Sequence, residues 1–79
     1  MDSRFEKRVG NLSPSVLVNG RSTAVSIEET VGDLIGRLGL DMKGIAVAHN
    51  AEVLPRSKWT STVLHQDDVL EVLSPLAGG

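Results

Sequence analysis

His49, His65, Asp67 and Asp68 are the side chains in this 79-residue sequence whose types could do acid–base or metal chemistry. Their spacing argues against both. Neither histidine has a second ligand at metal spacing, and each falls in or beside a turn. Asp67 and Asp68 are adjacent, so in an extended segment they diverge to opposite faces instead of pairing as acid and base. They read as turn formers with local hydrogen bonds. The sequence contains no G-x-x-x-x-G-K-[ST] and no G-x-G-x-x-G after a strand; the glycines of "GRLGLDMKG" have helix-end spacing. Cysteine is absent, which removes disulfides, thiol nucleophiles and cysteine metal sites. One distinctive group remains, the α-carboxylate of Gly79 at the end of "SPLAGG". With a pKa of about 3.5 it is ionised at neutral pH and a poor electrophile. It therefore needs activation by another protein, most simply as an acyl-adenylate formed from ATP. Gly78 and Gly79 lack Cβ atoms and can thread a narrow cleft, while Pro75 stiffens the base of the tail and biases Ser74 to an extended form. The chain reads as a substrate for activation, not as an enzyme.

The elements that would present such a tail follow from periodicity and turn chemistry. Residues 1–14 show no sustained period and are expected to form a disordered extension. In "SVLVNGRSTAVSI" two β-rich runs flank Asn19-Gly20, the strongest two-residue hairpin signal. Val16 and Val18 share one face of the first run; Thr23, Val25 and Ile27 share one face of the second. In "TVGDLIGRLGL", Val31, Leu34, Ile35 and Leu38 fall on one helical face. Thr30 is the N-cap, with Asp33 in a capping box, and Gly39 is the left-handed stop that folds Leu40 back onto the apolar side. Gly36 marks a point of close packing onto a sheet. "GIAVAH" is an interior strand, "NA" a turn, and "EVLP" a short strand that Pro55 stops. In "RSKWTSTVL", Ser57 is the expected cap of one helical turn that carries Trp59 onto the core. "HQDD" is a polar turn and "VLEVL" the last strand, with Leu70 and Val72 toward the helix and Leu73 away from it. Arg21, Arg56 and Lys58 are scattered, solvated charges.

The order ββαβ(β)β predicts an α+β fold of the β-grasp, ubiquitin-like kind. It consists of a mixed sheet of four to five strands, one main helix on one face, a domain over 15–74 and a flexible Gly-Gly tail over 75–79. The helical connection is expected to cross right-handed, and the last strand to lie centrally beside the first. A net charge of −2 without a basic cluster gives no reason to expect nucleic acid as a partner. No apolar run approaches the roughly 18 residues of a membrane span, and the N-terminus lacks the apolar region of a secretory signal. The expectation is a cytoplasmic chain, monomeric on its own, that binds no metal or cofactor.

Together "VNG", "TVGDLIGRLGL", "GIAVAHN", "VLPRSKW" and the terminal "GG" resemble the ThiS family of sulfur carriers of thiamine biosynthesis, from about Ser15 to Gly79. The resemblance implies that an E1-like adenylyltransferase (ThiF) activates Gly79 with its own ATP and Mg. Sulfur from a persulfide donor then makes a thiocarboxylate, and thiazole synthase (ThiG) receives the sulfur. It implies tail recognition through Leu76, Ala77 and Gly78. The partner surface would be the outer sheet face near the tail, with Leu73, Pro75 and Leu76 as contacts. Three features depart from the family pattern: the extension before Ser15; Ala51 in a turn where glycine is common, which predicts a different turn type; and Pro75, which is similar to the endings of the MoaD carriers of molybdopterin synthesis. A MoaD-like carrier and a ubiquitin-like protein modifier stay open as alternatives.

Overall fold

Two asparagine-led hairpins, one capped helix and one turn built around a tryptophan make up the head. The computed structural model describes residues 13–41 and 43–74. The expectations for residues 1–12 and for the tail from Pro75 to Gly79 lie outside these residues. Pro14 is part of the head, because its carbonyl accepts the Val25 N–H at 2.9 Å.

Strand β1 (Ser15–Val18) pairs antiparallel with β2 (Arg21–Ala24), Val18 opposite Arg21. Asn19 and Gly20 take φ of 51° and 85°, the two positive values a tight I′-type connection needs. β2 stops short of Ile27. Val25 is buried, but Ser26–Glu29 close into a turn: the Glu29 N–H donates to the Ser26 carbonyl at 3.0 Å and the Ser26 N–H to Glu29 Oε1 at 2.8 Å. The turn rotates Ile27 outward, 69% exposed, so it does not share a core face with Val25 as predicted. Glu29 is itself buried against the Arg37 guanidinium, 2.9 Å away, a pair that periodicity did not reveal.

Helix α1 (Val31–Arg37) starts with the predicted reciprocal cap: the Asp33 N–H donates to Thr30 Oγ1 and the Thr30 N–H to Asp33 Oδ2, both at 3.1 Å. It ends with Gly39 at φ 73°; the Gly39 N–H reaches the Gly36 carbonyl and the Leu40 N–H the Ile35 carbonyl. Val31, Leu34 and Ile35 are fully buried, whereas Leu38, the C-cap, is 40% exposed because it lies past the last buried turn. Gly36 is exposed. The glycine at a close approach is Gly32, where a Cβ would stand 3.3 Å from Thr60 Cγ2.

β3 (Ala46–His49) and β4 (Glu52–Leu54) form the second hairpin. Asn50 and Ala51 take φ of 51° and 72°, so Ala51 does not change the turn type; it occupies the conformation that suits glycine. A left-handed alanine costs roughly 1–2 kcal/mol, partly offset by the larger chain entropy glycine loses on folding. Ala51→Gly is expected to stabilise the protein by about 0.5–1 kcal/mol, read as a higher urea midpoint at constant m-value. An unchanged or lower midpoint would show that the turn is not strained.

A 3₁₀ helix (Arg56–Ser61) follows, preceded by Pro55 without a side-chain cap; Ser57 lies inside it and does not cap it. Trp59 is buried as predicted, its indole N–H donating to the Leu54 carbonyl at 3.1 Å. Arg56 lies over the ring, 5.7 Å from its centroid, and is more than a solvated charge. β5 (Val69–Leu73) completes a five-stranded sheet of order β2-β1-β5-β3-β4, parallel only between β1 and β5. Val16, Val47 and Leu70 on the three central strands meet Val31, Leu34 and Ile35 of α1, and Val25, Trp59 and Leu64 close the core. This is the predicted β-grasp: one main helix on one face of a mixed sheet, with the last strand beside the first.

Candidate functional site

β5 is the strand that leads into the tail, so what holds β5 defines the candidate site. It is paired on both edges. Toward β3 the register places Ala48 opposite Glu71 and Ala46 opposite Leu73, which carries pairing to the end of the strand. Toward β1 the ladder covers only Leu17 with Val69 and Val18 with Leu70 before the chain turns at Asn19.

Two asparagine side chains extend these ladders; the sequence marked both as turn residues but not as braces of β5. Asn50 braces the start of β5: its N–H donates to the Val69 carbonyl at 2.7 Å and its Oδ1 accepts the Val69 N–H at 2.8 Å. Asn19 braces the end. Its N–H donates to the Leu70 carbonyl at 2.9 Å, its Oδ1 accepts the Val72 N–H at 2.8 Å, and its Nδ2 donates to the Val72 carbonyl at 3.1 Å. The one signal in the sequence was the recurrence of asparagine at the first position of both tight turns.

The residues first considered for catalysis lie at the opposite end of β5. Asp68 is buried, and its Oδ2 contacts His49 Nε2 at 3.0 Å and accepts the His65 N–H at 2.9 Å. Its Oδ1 accepts from Asn50 Nδ2 at 3.2 Å. Asp67, at φ 71°, is an exposed turn residue, as expected. Asp68 is not only a local turn former, because it ties the end of β3 to the start of β5. Among the described residues no three His, Cys, Asp or Glu side chains gather as a metal-binding group. His49 and Asp68 are one hydrogen-bonded contact within a structural network.

Burial pushes the Asp68 carboxyl up, but the hydrogen bonds from His49, the His65 N–H and Asn50, with the charge of His49, outweigh it and hold it below its ordinary 3.8. Glu29 behaves alike: burial raises it, and Arg37 with the Ser26 N–H brings it below its ordinary 4.5. A carboxylate held lower in the folded state stabilises the fold above its unfolded value and loses that contribution as pH falls through its folded value. The contribution of these two carboxylates is therefore expected to be fully present above about pH 5 and to be lost as the pH drops below 4. The urea midpoint of Asp68→Asn should fall less steeply over that window. Parallel profiles for the variant and the wild type would remove Asp68 as a source of the acid sensitivity.

The outer sheet face is open. Leu73 is 69% exposed and Val53 80% exposed. Ala46 and Glu71 lie exposed between them, in the cross-strand positions the register assigns. On the helix side, Val18, Leu38, Leu40 and Val72 line a shallow groove of about 460 Å³ that reaches Ser74, with Asn19 and Arg21 at its rim. Leu76, Ala77, Gly78, Gly79 and Pro75 lie outside the described residues.

The chain is 33% identical over 64 residues to a thiazole synthase of Paramagnetospirillum magneticum, a match covering 81% of this chain and 20% of that protein. It is 27% identical to the sulfur carrier protein ThiS of Escherichia coli over 81% of this chain and 97% of that one. The chain thus spans one-fifth of the first relative and nearly all of the second. The crystal structure of the thiamine biosynthesis protein ThiS from Geobacter metallireducens superposes with a TM-score of 0.67 at 29% identity, covering 82% of this chain and 99% of that one. The ThiS family matches residues 16–79, from the first strand through the glycine pair. Because that match takes in the head that holds β5 as well as the sequence β5 leads into, the chain belongs to the ThiS family.

Proposed function

We propose that this protein is a sulfur carrier of thiamine biosynthesis and that the acyl group of Gly79 carries the sulfur. The observation that supports it most is the family match running to Gly79 behind a last strand paired on both edges. A tail five residues long reaches at most about 17 Å from Ser74. An activating enzyme must therefore sit against the end of β5, where the exposed Leu73 offers an apolar contact; Pro75, Leu76, Ala77 and Gly78 would fill its cleft.

The chemistry is group transfer on the carboxylate. An E1-like adenylyltransferase of the ThiF kind, with its own ATP and Mg, joins a Gly79 carboxylate oxygen to AMP and releases pyrophosphate. The terminal sulfur of a donor persulfide displaces AMP, and a thiol cleaves the resulting acyl disulfide, leaving a thiocarboxylate and a donor disulfide. A thiazole synthase of the ThiG kind receives the sulfur; the similarity of the chain to part of one such protein supports that partner. The chain is a recycled cosubstrate rather than an enzyme. It works in the cytoplasm as a monomer between encounters and binds no cofactor itself.

Incubation with the adenylyltransferase, ATP and a persulfide donor is expected to add the mass difference between sulfur and oxygen, and none in a chain lacking Gly79. No gain in the wild type, or a full gain without Gly79, overturns the reading. Isopeptide conjugates in extract, with no thiocarboxylate, would favour a protein modifier instead.

A further inference from the structure

We propose that Asn19 is a positioning residue for the reacting terminus, acting through Val72; this rests on the sulfur-carrier reading above. β1 and β5 run parallel, but β1 ends at Val18 while β5 continues to Leu73. At that point the β1 side of β5 would present the Val72 N–H and carbonyl to water, two residues before Ser74. The Asn19 side chain fills the gap. Its amide sets a donor NH2 and an acceptor oxygen in one plane, as a peptide group sets its N–H and C=O, and it meets the Val72 N–H at 2.8 Å and the Val72 carbonyl at 3.1 Å. The Asn19 amide thereby stands in for the next residue of β1 and extends the parallel ladder past the point where the backbone leaves it.

The turn makes this possible. Asn19 lies at φ 51°, a left-handed conformation that asparagine accepts more readily than most residues. The Asn19 N–H bond to the Leu70 carbonyl, at 2.9 Å, anchors the backbone one register step before the side-chain bonds. With β3 pairing the other edge up to Leu73, β5 is held on both sides almost to its end. Without the Asn19 bonds the end of β5 from Val72 is held from the β3 edge alone, and a strand end that frays adds to the entropy lost when the segment beyond it is ordered in a cleft.

Two variants separate this role from turn stability. Asn19→Gly keeps the positive φ and removes the amide. Asn19→Asp keeps an acceptor for the Val72 N–H and sets a second oxygen against the Val72 carbonyl. The experiment is steady-state ATP–pyrophosphate exchange by the adenylyltransferase with the full-length chain, paired with amide hydrogen exchange. For Asn19→Gly the expected result is a KM for the carrier raised about fivefold, in line with the net worth of one neutral hydrogen bond, with kcat within about twofold. Protection of the Val72 amide should drop while that of Val47 in the core holds. Asn19→Asp should lie between the wild type and Asn19→Gly in KM.

An unchanged KM in Asn19→Gly, with Val72 deprotected, overturns the inference and leaves Asn19 as a strand tie only. Loss of protection at both Val72 and Val47 also overturns it, because the residue then serves global stability. Failure of the wild type to be activated overturns the sulfur-carrier reading and this inference with it, so the two failures are told apart by the wild-type lane.

Discussion

Trp59→Ala is expected to destabilise the fold by about 3–5 kcal/mol, the range for removing a buried tryptophan. The residue is 3% exposed at the centre of the 3₁₀ helix. Three contacts converge on it. Its ring packs in the core with the buried helix and strand residues, its indole N–H satisfies the Leu54 carbonyl at the end of β4, and Arg56 covers its ring. Directly beside it, Gly32 lets the first turn of α1 approach to within van der Waals distance of Thr60 and the Trp59 backbone. Alanine would leave a cavity that this close backbone contact prevents from collapsing. For a domain whose total stability is on the order of 5–10 kcal/mol, that loss removes about a third or more of it. Urea unfolding followed by circular dichroism measures it. Trp59→Phe keeps most of the packing and loses the hydrogen bond, so its cost should be nearer 1–2 kcal/mol. Equal losses in the two variants would show that the hydrogen bond, not the ring volume, carries the effect.

Gly78→Val should have the opposite profile, with an unchanged thermal midpoint and a loss of at least about 100-fold in the single-turnover rate of thiocarboxylate formation. Residue 78 lies beyond β5 in the sequence, and the core of the described residues is built from Val16 to Leu70, so the head should not register the change. The reacting carbon belongs to the next residue. A branched Cβ widens the chain and removes the backbone angles that glycine alone allows. A displacement of about 1 Å of the Gly79 carboxylate oxygen from the ATP α-phosphorus it attacks is enough for a 100-fold loss. Gly78→Ala should fall between valine and wild type. Mass spectrometry over a time course reads all three, and a wild-type rate in the valine variant would remove the narrow-cleft account of the glycine pair.

The parts of this protein readable from the sequence are those whose cause lies within about five residues. Asn19-Gly20 needs positive φ at both positions, so it marks a hairpin before any partner is known. Thr30 with Asp33, and Gly39 with Leu40, close the ends of α1 through bonds three to five residues long. The apolar spacing of Val31, Leu34 and Ile35 declares one buried face, and the alternation along Val69–Leu73 puts Leu70 inward and Leu73 outward. The α+β order and the glycine pair that marks the candidate site come from the same short-range information.

The tertiary structure decided everything that depends on register between distant segments. Ile27 kept the alternation of a strand yet turned outward, because Glu29, held against Arg37 of α1, captured the Ser26 N–H and broke the period. Gly32 became a close contact once the 3₁₀ helix was laid against α1, while Gly36 stayed exposed. Asp68 found His49, 19 residues away, and Asn19 found Val72, 53 residues away. A side chain's donors and acceptors state what it needs, but not which backbone will arrive opposite it. That is set by the parallel pairing of the first strand with the last, and it leaves a turn asparagine in place to hold the strand that carries the glycine pair.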